Sequence, residues 1–275
     1  MSIKLFDLSM KEIQMRGVKW LELIPDPPQV ERITESVWDG EITLGKRRLS
    51  RKLSARFFYL ADGRSDYKVL RNEIFSLLDP IQTFYVIDTD LPERKWKVDI
   101  DTQSLTRLNA VAGEWAVEFV SAQTYAYSVF NTLNDELYKS TTLLMSAGLN
   151  GNASKADYKR TTSTFTIYNA GDGRVEPENY PLKITIKLTG SSVIASDIRL
   201  INSSTGEEWR YRGTFQTGDT ITIDGVKAER NGVNIVGATG PEFGLISLAP
   251  GINNFTVTGL SGSFEITFDF PFLYL

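Results

Sequence analysis

From Phe264 onward an aromatic or branched residue stands at every second position: Phe264, Ile266, Phe268, Phe270, Phe272 and Tyr274. A period of two puts these side chains on one face of an extended strand, whereas a helix would scatter them around its circumference. So wide an apolar face needs a core to cover it, so we read Phe264–Tyr274 as one long strand stapled into a β domain. Pro271 has no N–H to give to a ladder, which predicts that the end of this strand lies at an edge or a bulge.

The residues before it fit the same domain. Strand-like runs at Ser163–Tyr168, Leu182–Leu188, Ile198–Ile201, Glu208–Tyr211, Thr220–Ile223, Leu245–Leu248 and Phe255–Val257 alternate with Gly, Asn and Asp turns. No helical period runs through this half, and many short strands with turns between them predict an antiparallel β-sandwich over 162–275. Asp224-Gly225-Val226-Lys227 and Glu229-Arg230-Asn231-Gly232 are hairpin turns.

Residues 1–125 mix strands with one helix, so the fold class is mainly β with an α+β N-terminal domain. A strand around Val18–Ile24 ends at Pro25-Asp26-Pro27-Pro28, and Asp39-Gly40 makes a tight turn between Ser36-Val37-Trp38 and Glu41–Leu44. The helix is predicted from Ser65, as its N-cap, to Leu78, with Tyr67, Leu70, Ile74, Leu77 and Leu78 on its buried face and Asp79-Pro80 ending it. Strand candidates follow at Gln82–Asp88 and Glu93–Ile100. Trp115, Val117 and Phe119 then line one face of a half-buried strand. The pattern weakens over 126–161, where Gly148–Ser154 is loop chemistry, and this segment is read as the interdomain connection.

Composition removes whole classes of function. The chain has no cysteine and no histidine. That excludes a thiolate nucleophile, a disulfide framework, a Ser-His-Asp hydrolase and an ordinary zinc hydrolase. A net charge of −4 argues against wholesale binding to nucleic acid or anionic membrane. No apolar run approaches the roughly 20 residues that span a bilayer. The Met1–Asp7 start turns acidic too early for a signal peptide, so folding in a cytoplasm is expected.

Several segments, taken in order, resemble the distal tail protein family of siphophages over nearly the whole chain. In the first half they are Asp39-Gly40, the basic hairpin ending Phe57-Phe58-Tyr59-Leu60, Ile74–Leu78, Phe84–Asp88, Leu91–Val98 and Ala116–Phe119. In the second they are Tyr168–Gly171, Pro181–Ile186, Ile221–Gly225, Asn231–Val233, Leu248–Asn253 and the ending Phe268–Leu275. The resemblance implies a non-enzymatic virion protein at the tail tip, assembled in the host cytoplasm. Its residues 1–125 would close a hexameric ring with a lumen for DNA passage, and residues 162–275 would form a galectin-like sandwich. The implied partners are other copies of the chain, the major tail tube protein, the tail-associated hub protein and receptor-binding proteins, with no specific nucleic acid, no membrane, no cofactor and no metal. Such a ring protein should expose apolar and charged patches on its N-terminal domain that neighbours cover.

Three features are candidates for chemistry. Lys46, Arg47, Arg48, Arg51, Lys52 and Arg56 crowd into one stretch of an acidic protein. They read as a solvated strand face or a subunit interface before a DNA-facing lumen, which would hinder passage if it neutralised many phosphates. Asp88, Asp90, Asp99 and Asp101 form i, i+2 pairs that suit a hard cation or paired carboxylate catalysis, although Asp at strand ends is commonly a turn residue. Sugar binding is the alternative function, a carbohydrate-binding module on host cell-wall glycans. The galectin sugar site needs a His-Asn-Arg run that a histidine-free chain lacks. Glu207-Glu208-Trp209-Arg210 is its nearest echo, with Trp209 the possible sugar contact.

Overall fold

The computed structural model describes residues 3–139, 149, 157–190, 194–238 and 244–275. Of the expected connection at 126–161, residues 140–148 and 150–156 lie outside the described residues, and with them all of the Gly148–Ser154 loop but Leu149. Two compact units divide the chain, one running to Tyr127 together with Leu275, the other Ser128–Tyr274.

The first unit has nine strands and one helix before Ala126: β1 (Ile3–Phe6), β2 (Glu12–Ile13), β3 (Val18–Pro25), β4 (Val30–Val37), β5 (Gly40–Arg48), β6 (Arg51–Leu60), α1 (Arg64–Leu77), β7 (Phe84–Asp88), β8 (Arg94–Arg107) and β9 (Ala112–Ser121). All but β4 and β5 join one sheet in the order β2-β1-β7-β8-β9-β6-β3, each adjacent pair antiparallel. Alternation sets its inner face: Leu53, Ala55, Phe57 and Tyr59 on β6 lie beside Trp115, Val117 and Phe119 on β9, all buried. Helix α1 covers that face, with the Tyr67 ring 5.3 Å from Tyr59 and Phe75 edge-on to Trp115 at 4.9 Å. Gly113 is required here because a Cβ would come within 2.5 Å of the Tyr59 ring.

The helix departs from its predicted start. Gly63, not Ser65, is the N-cap, and it offers no side-chain bond. Asp66 does the local work instead: it accepts the Asp62 N–H at 2.9 Å and holds Arg16 through both oxygens. Both interactions lower its pKa, the Arg16 hydrogen bond most.

The short strand β10 (Ala126–Ser128) marks the division. The second unit continues with β11 (Lys159–Arg160), β12 (Thr164–Asn169), β13 (Lys183–Leu188), β14 (Ile194–Asn202), β15 (Glu207–Gln216), β16 (Thr220–Asp224), β17 (Lys227–Arg230), β18 (Val233–Asn234), β19 (Gly251–Thr258), β20 (Phe264–Asp269) and β21 (Leu273–Tyr274). One sheet runs β11-β20-β13-β16-β17-β18 and the other β12-β19-β14-β15. Rings from both meet in the middle, Phe268 of the first lying 5.9 Å from Phe165 and 5.0 Å from Phe255 of the second. This is the antiparallel sandwich read from the sequence. Leu245–Leu248 is not a strand in it; Leu248 forms a single bridge with Val175.

The terminal aromatics are all buried, but they do not sit on one strand. Pairing stops at Asp269 and resumes at Leu273, with Pro271 in the gap. Hydroxyls replace the missing ladder. Thr132 Oγ1 accepts the Phe270 N–H at 3.1 Å and donates to the Phe268 carbonyl at 2.8 Å, while Ser128 Oγ accepts the Phe272 N–H at 3.0 Å. Replacing Thr132 with Val keeps its shape but leaves two buried backbone groups unpaired. We expect a loss of about 2–4 kcal/mol in urea unfolding; a loss below about 0.5 kcal/mol would show that the hydroxyl is dispensable.

Candidate interaction surface

Among the described residues, strands β4 and β5 pair with each other and with no other strand. They meet at the Trp38-Asp39 turn, after which Gly40 takes φ +103°, a conformation that favours glycine. Nearly every residue of the ribbon is exposed. The register puts Ile33, Val37 and Ile42 on one face with Glu31, Glu35 and Arg47. Arg32, Lys46 and Arg48 occupy the other, and Leu44 falls at a bulge. Trp38 at the tip is 104% exposed. A lone two-stranded hairpin is marginally stable in water, and apolar residues gathered on such a ribbon mark a contact surface. The Asp39-Gly40 turn and the extended segments beside it were legible, but nothing in them revealed that no third described strand would cover the ribbon.

The structure separates the basic residues predicted as an interface. Lys46, Arg47 and Arg48 lie on the arm, and Arg51, Lys52 and Arg56 on the main sheet. Arg47 pairs with Glu31 across the arm. Arg48 bonds the Tyr125 hydroxyl and sits over its ring at 4.9 Å. Lys52 meets Asp101 at 2.9 Å and Glu118 at 3.9 Å, and Arg56 meets Glu22 and, at 3.4 Å, Glu114. Hydrogen bonds to Asp101 and Glu22 raise the pKa of Lys52 and Arg56 respectively. Cations already paired with carboxylates neutralise fewer phosphates and so release fewer of the counter-ions condensed on DNA.

The aspartate pairs do not converge. Asp88 accepts the Asp90 N–H in a turn, Asp99 accepts the Thr83 hydroxyl at 2.6 Å, and Asp101 holds Lys52. Among the described residues no group of three or more His, Cys, Asp or Glu is arranged to hold a metal.

Trp209 is 3% exposed and stacks on Tyr211 at 6.4 Å inside the sandwich, which leaves no ring face for a sugar. Its neighbour Glu207 is also structural. One oxygen accepts the Ser247 N–H and hydroxyl, each at 2.7 Å, and the other holds Arg174 at 2.6 Å. Burial pushes the Glu207 pKa up, but these bonds outweigh it and leave the carboxyl below its usual range. A group lowered in this way adds stability above the unfolded carboxylate pKa and loses it as pH falls through the folded one. Glu207→Gln should therefore flatten the acid limb of unfolding midpoint against pH below about 4.5; an unchanged limb would mean Glu207 is not one of the groups that set it.

The comparisons with known proteins follow this geometry. Residues 14–121, the segment that holds the arm, match the family model of the phage tail protein RIFT-related domain. The solved structure of SPP1 Dit (gp 19.1), described as a paradigm of the hub adsorption apparatus in phages infecting Gram-positive bacteria, aligns with TM-score 0.69 at 13% identity, covering 99% of this chain and 100% of that one. A chain of the phage p2 baseplate aligns with TM-score 0.47 at 9% identity, covering 98% of this chain and 97% of that one. No curated protein matches in sequence. The match places a phage tail RIFT-related domain within residues 14–121. Across its length the chain has the fold of SPP1 Dit.

Lys52 and Arg56 should contribute little to stability, because all their partners are exposed or half-exposed. We expect Lys52→Met and Arg56→Met each to leave the urea unfolding midpoint nearly unchanged, with any small loss shrinking further in high salt. A larger, salt-insensitive loss would contradict a solvated ion-pair ladder.

Proposed function

We propose that this chain is a non-catalytic adaptor of the phage tail tip, in which residues 1–125 close into a hexameric ring. In this reading the ring joins the tail tube protein to the hub and receptor-binding proteins and leaves a lumen for DNA. The observation that carries the proposal is the arm: an uncovered ribbon that presents Ile33, Val37 and Ile42 on one face and Trp38 at its tip. Each aliphatic side chain, fully buried, contributes about 1.5–3 kcal/mol. Association costs about 4–15 kcal/mol, so these three need Trp38 and repetition around a closed ring to prevail.

Carbohydrate binding has less to rest on. Thr185, Thr222 and Thr267 stand side by side in register on the outward face of the six-stranded sheet, with no ring among them for a sugar to stack on.

Light scattering on purified protein tests the ring. We expect a mass several times the 30.9 kDa of one chain. Ile33→Lys combined with Ile42→Lys should reduce it to one chain with an unchanged far-ultraviolet circular dichroism spectrum, since both residues are exposed in the single chain. A full-sized oligomer in the double variant would sink the arm as the subunit contact.

A further inference from the structure

The arm joins its sheet through two short crossings, Asp26-Pro27-Pro28-Gln29 on the way out and Leu49-Ser50 on the way back. Crossings of this length are where a hinge would be expected. Here both are tied down. The Asp26 N–H donates to the Lys52 carbonyl at 2.9 Å, and the Leu49 N–H to the Gln29 carbonyl at 3.0 Å. The adjacent prolines hold φ fixed.

One side chain then fastens the outgoing crossing to the body. Arg51 Nε donates to the Asp26 carbonyl at 2.8 Å, a terminal nitrogen donates to the Thr124 carbonyl at 3.4 Å, and the guanidinium lies 4.9 Å from the centre of the Trp96 ring. Thr124 fastens the returning crossing, its hydroxyl donating to the Leu49 carbonyl at 2.7 Å. Arg51 is half-buried, and burial lowers its pKa. Its partners are carbonyls and an aromatic face, a combination that needs a planar fork with several donors, which a lysine lacks.

We propose that Arg51 is a positioning residue that locks the arm at one angle to its sheet, so that its apolar face meets its partner already oriented. The lock stands on the root contacts alone; its benefit to assembly rests on the arm being the subunit contact. A preset arm forgoes the ordering cost that a swinging one meets on docking.

The absence of native cysteine makes the test clean. Spin labels are placed at Ser36→Cys near the tip and Ser76→Cys on α1, both exposed, and labelled protein is diluted into excess unlabelled protein. Double electron–electron resonance should give one narrow distance distribution. Arg51→Met should broaden it at least twofold, while Lys97→Met, which removes an exposed charge on β8, should leave it narrow. If Arg51→Met fails to fold by circular dichroism, Thr124→Val takes its place, with the same broadening expected. A broad distribution in the parent protein, or a narrow one in the variant, overturns the lock. Light scattering on the same samples should show assembly needing about tenfold more protein in the variant, the cost of ordering roughly one further residue. A broadened arm that assembles as readily as before would leave the lock in place and count against the arm as the subunit contact.

Discussion

A two-stranded ribbon satisfies one row of backbone hydrogen bonds and buries almost nothing, so whatever holds β4 and β5 at their root governs what the first unit can present. The answer begins in the aromatic layer beneath the sheet. Phe57, Tyr59, Trp115 and Phe119 are fully buried under α1 and fix β6 and β9. Because β6 starts at Arg51, the same packing sets where the arm leaves and returns. Arg51 and Thr124 then carry that rigidity across both crossings. Core packing, root and ribbon form one mechanical chain, and only its last link lacks a covering surface.

The second unit is organised by the opposite economy. Its sheets close on each other through Phe165, Phe255 and Phe268, and its buried polar groups are used to fasten loops. Asn202 donates to the Ser247 carbonyl at 2.8 Å and Asn253 to the Ala249 carbonyl at 2.8 Å, while Glu207 grips Ser247 from the other side. These three side chains are committed to holding the 247–250 loop against β14, β15 and β19.

Much of this architecture was legible because it follows from period. The spacing of Tyr67, Leu70 and Ile74 located the helix, and the alternation of Trp115, Val117 and Phe119 located the face it covers. What escaped depends on partners remote in sequence or missing altogether. Phe264–Tyr274 reads as one strand until Ser128 and Thr132, far upstream, take over the bonds that Pro271 interrupts. The alternation of Ile33 and Val37 with charged residues looks the same whether or not another strand lies alongside. The basic run looks like a single patch by composition, yet strand geometry assigns Arg47 to a ribbon ion pair, Arg51 to the root and Lys52 and Arg56 to the sheet face.

The central claim is that the arm is a preformed surface covered by another copy of the chain. Hydrogen exchange of the amides of residues 30–48, followed against protein concentration, tests it most directly. The account predicts fast exchange at dilution and slow exchange that appears in step with the rise in mass. Arm amides that remain fast in the assembled protein would contradict it.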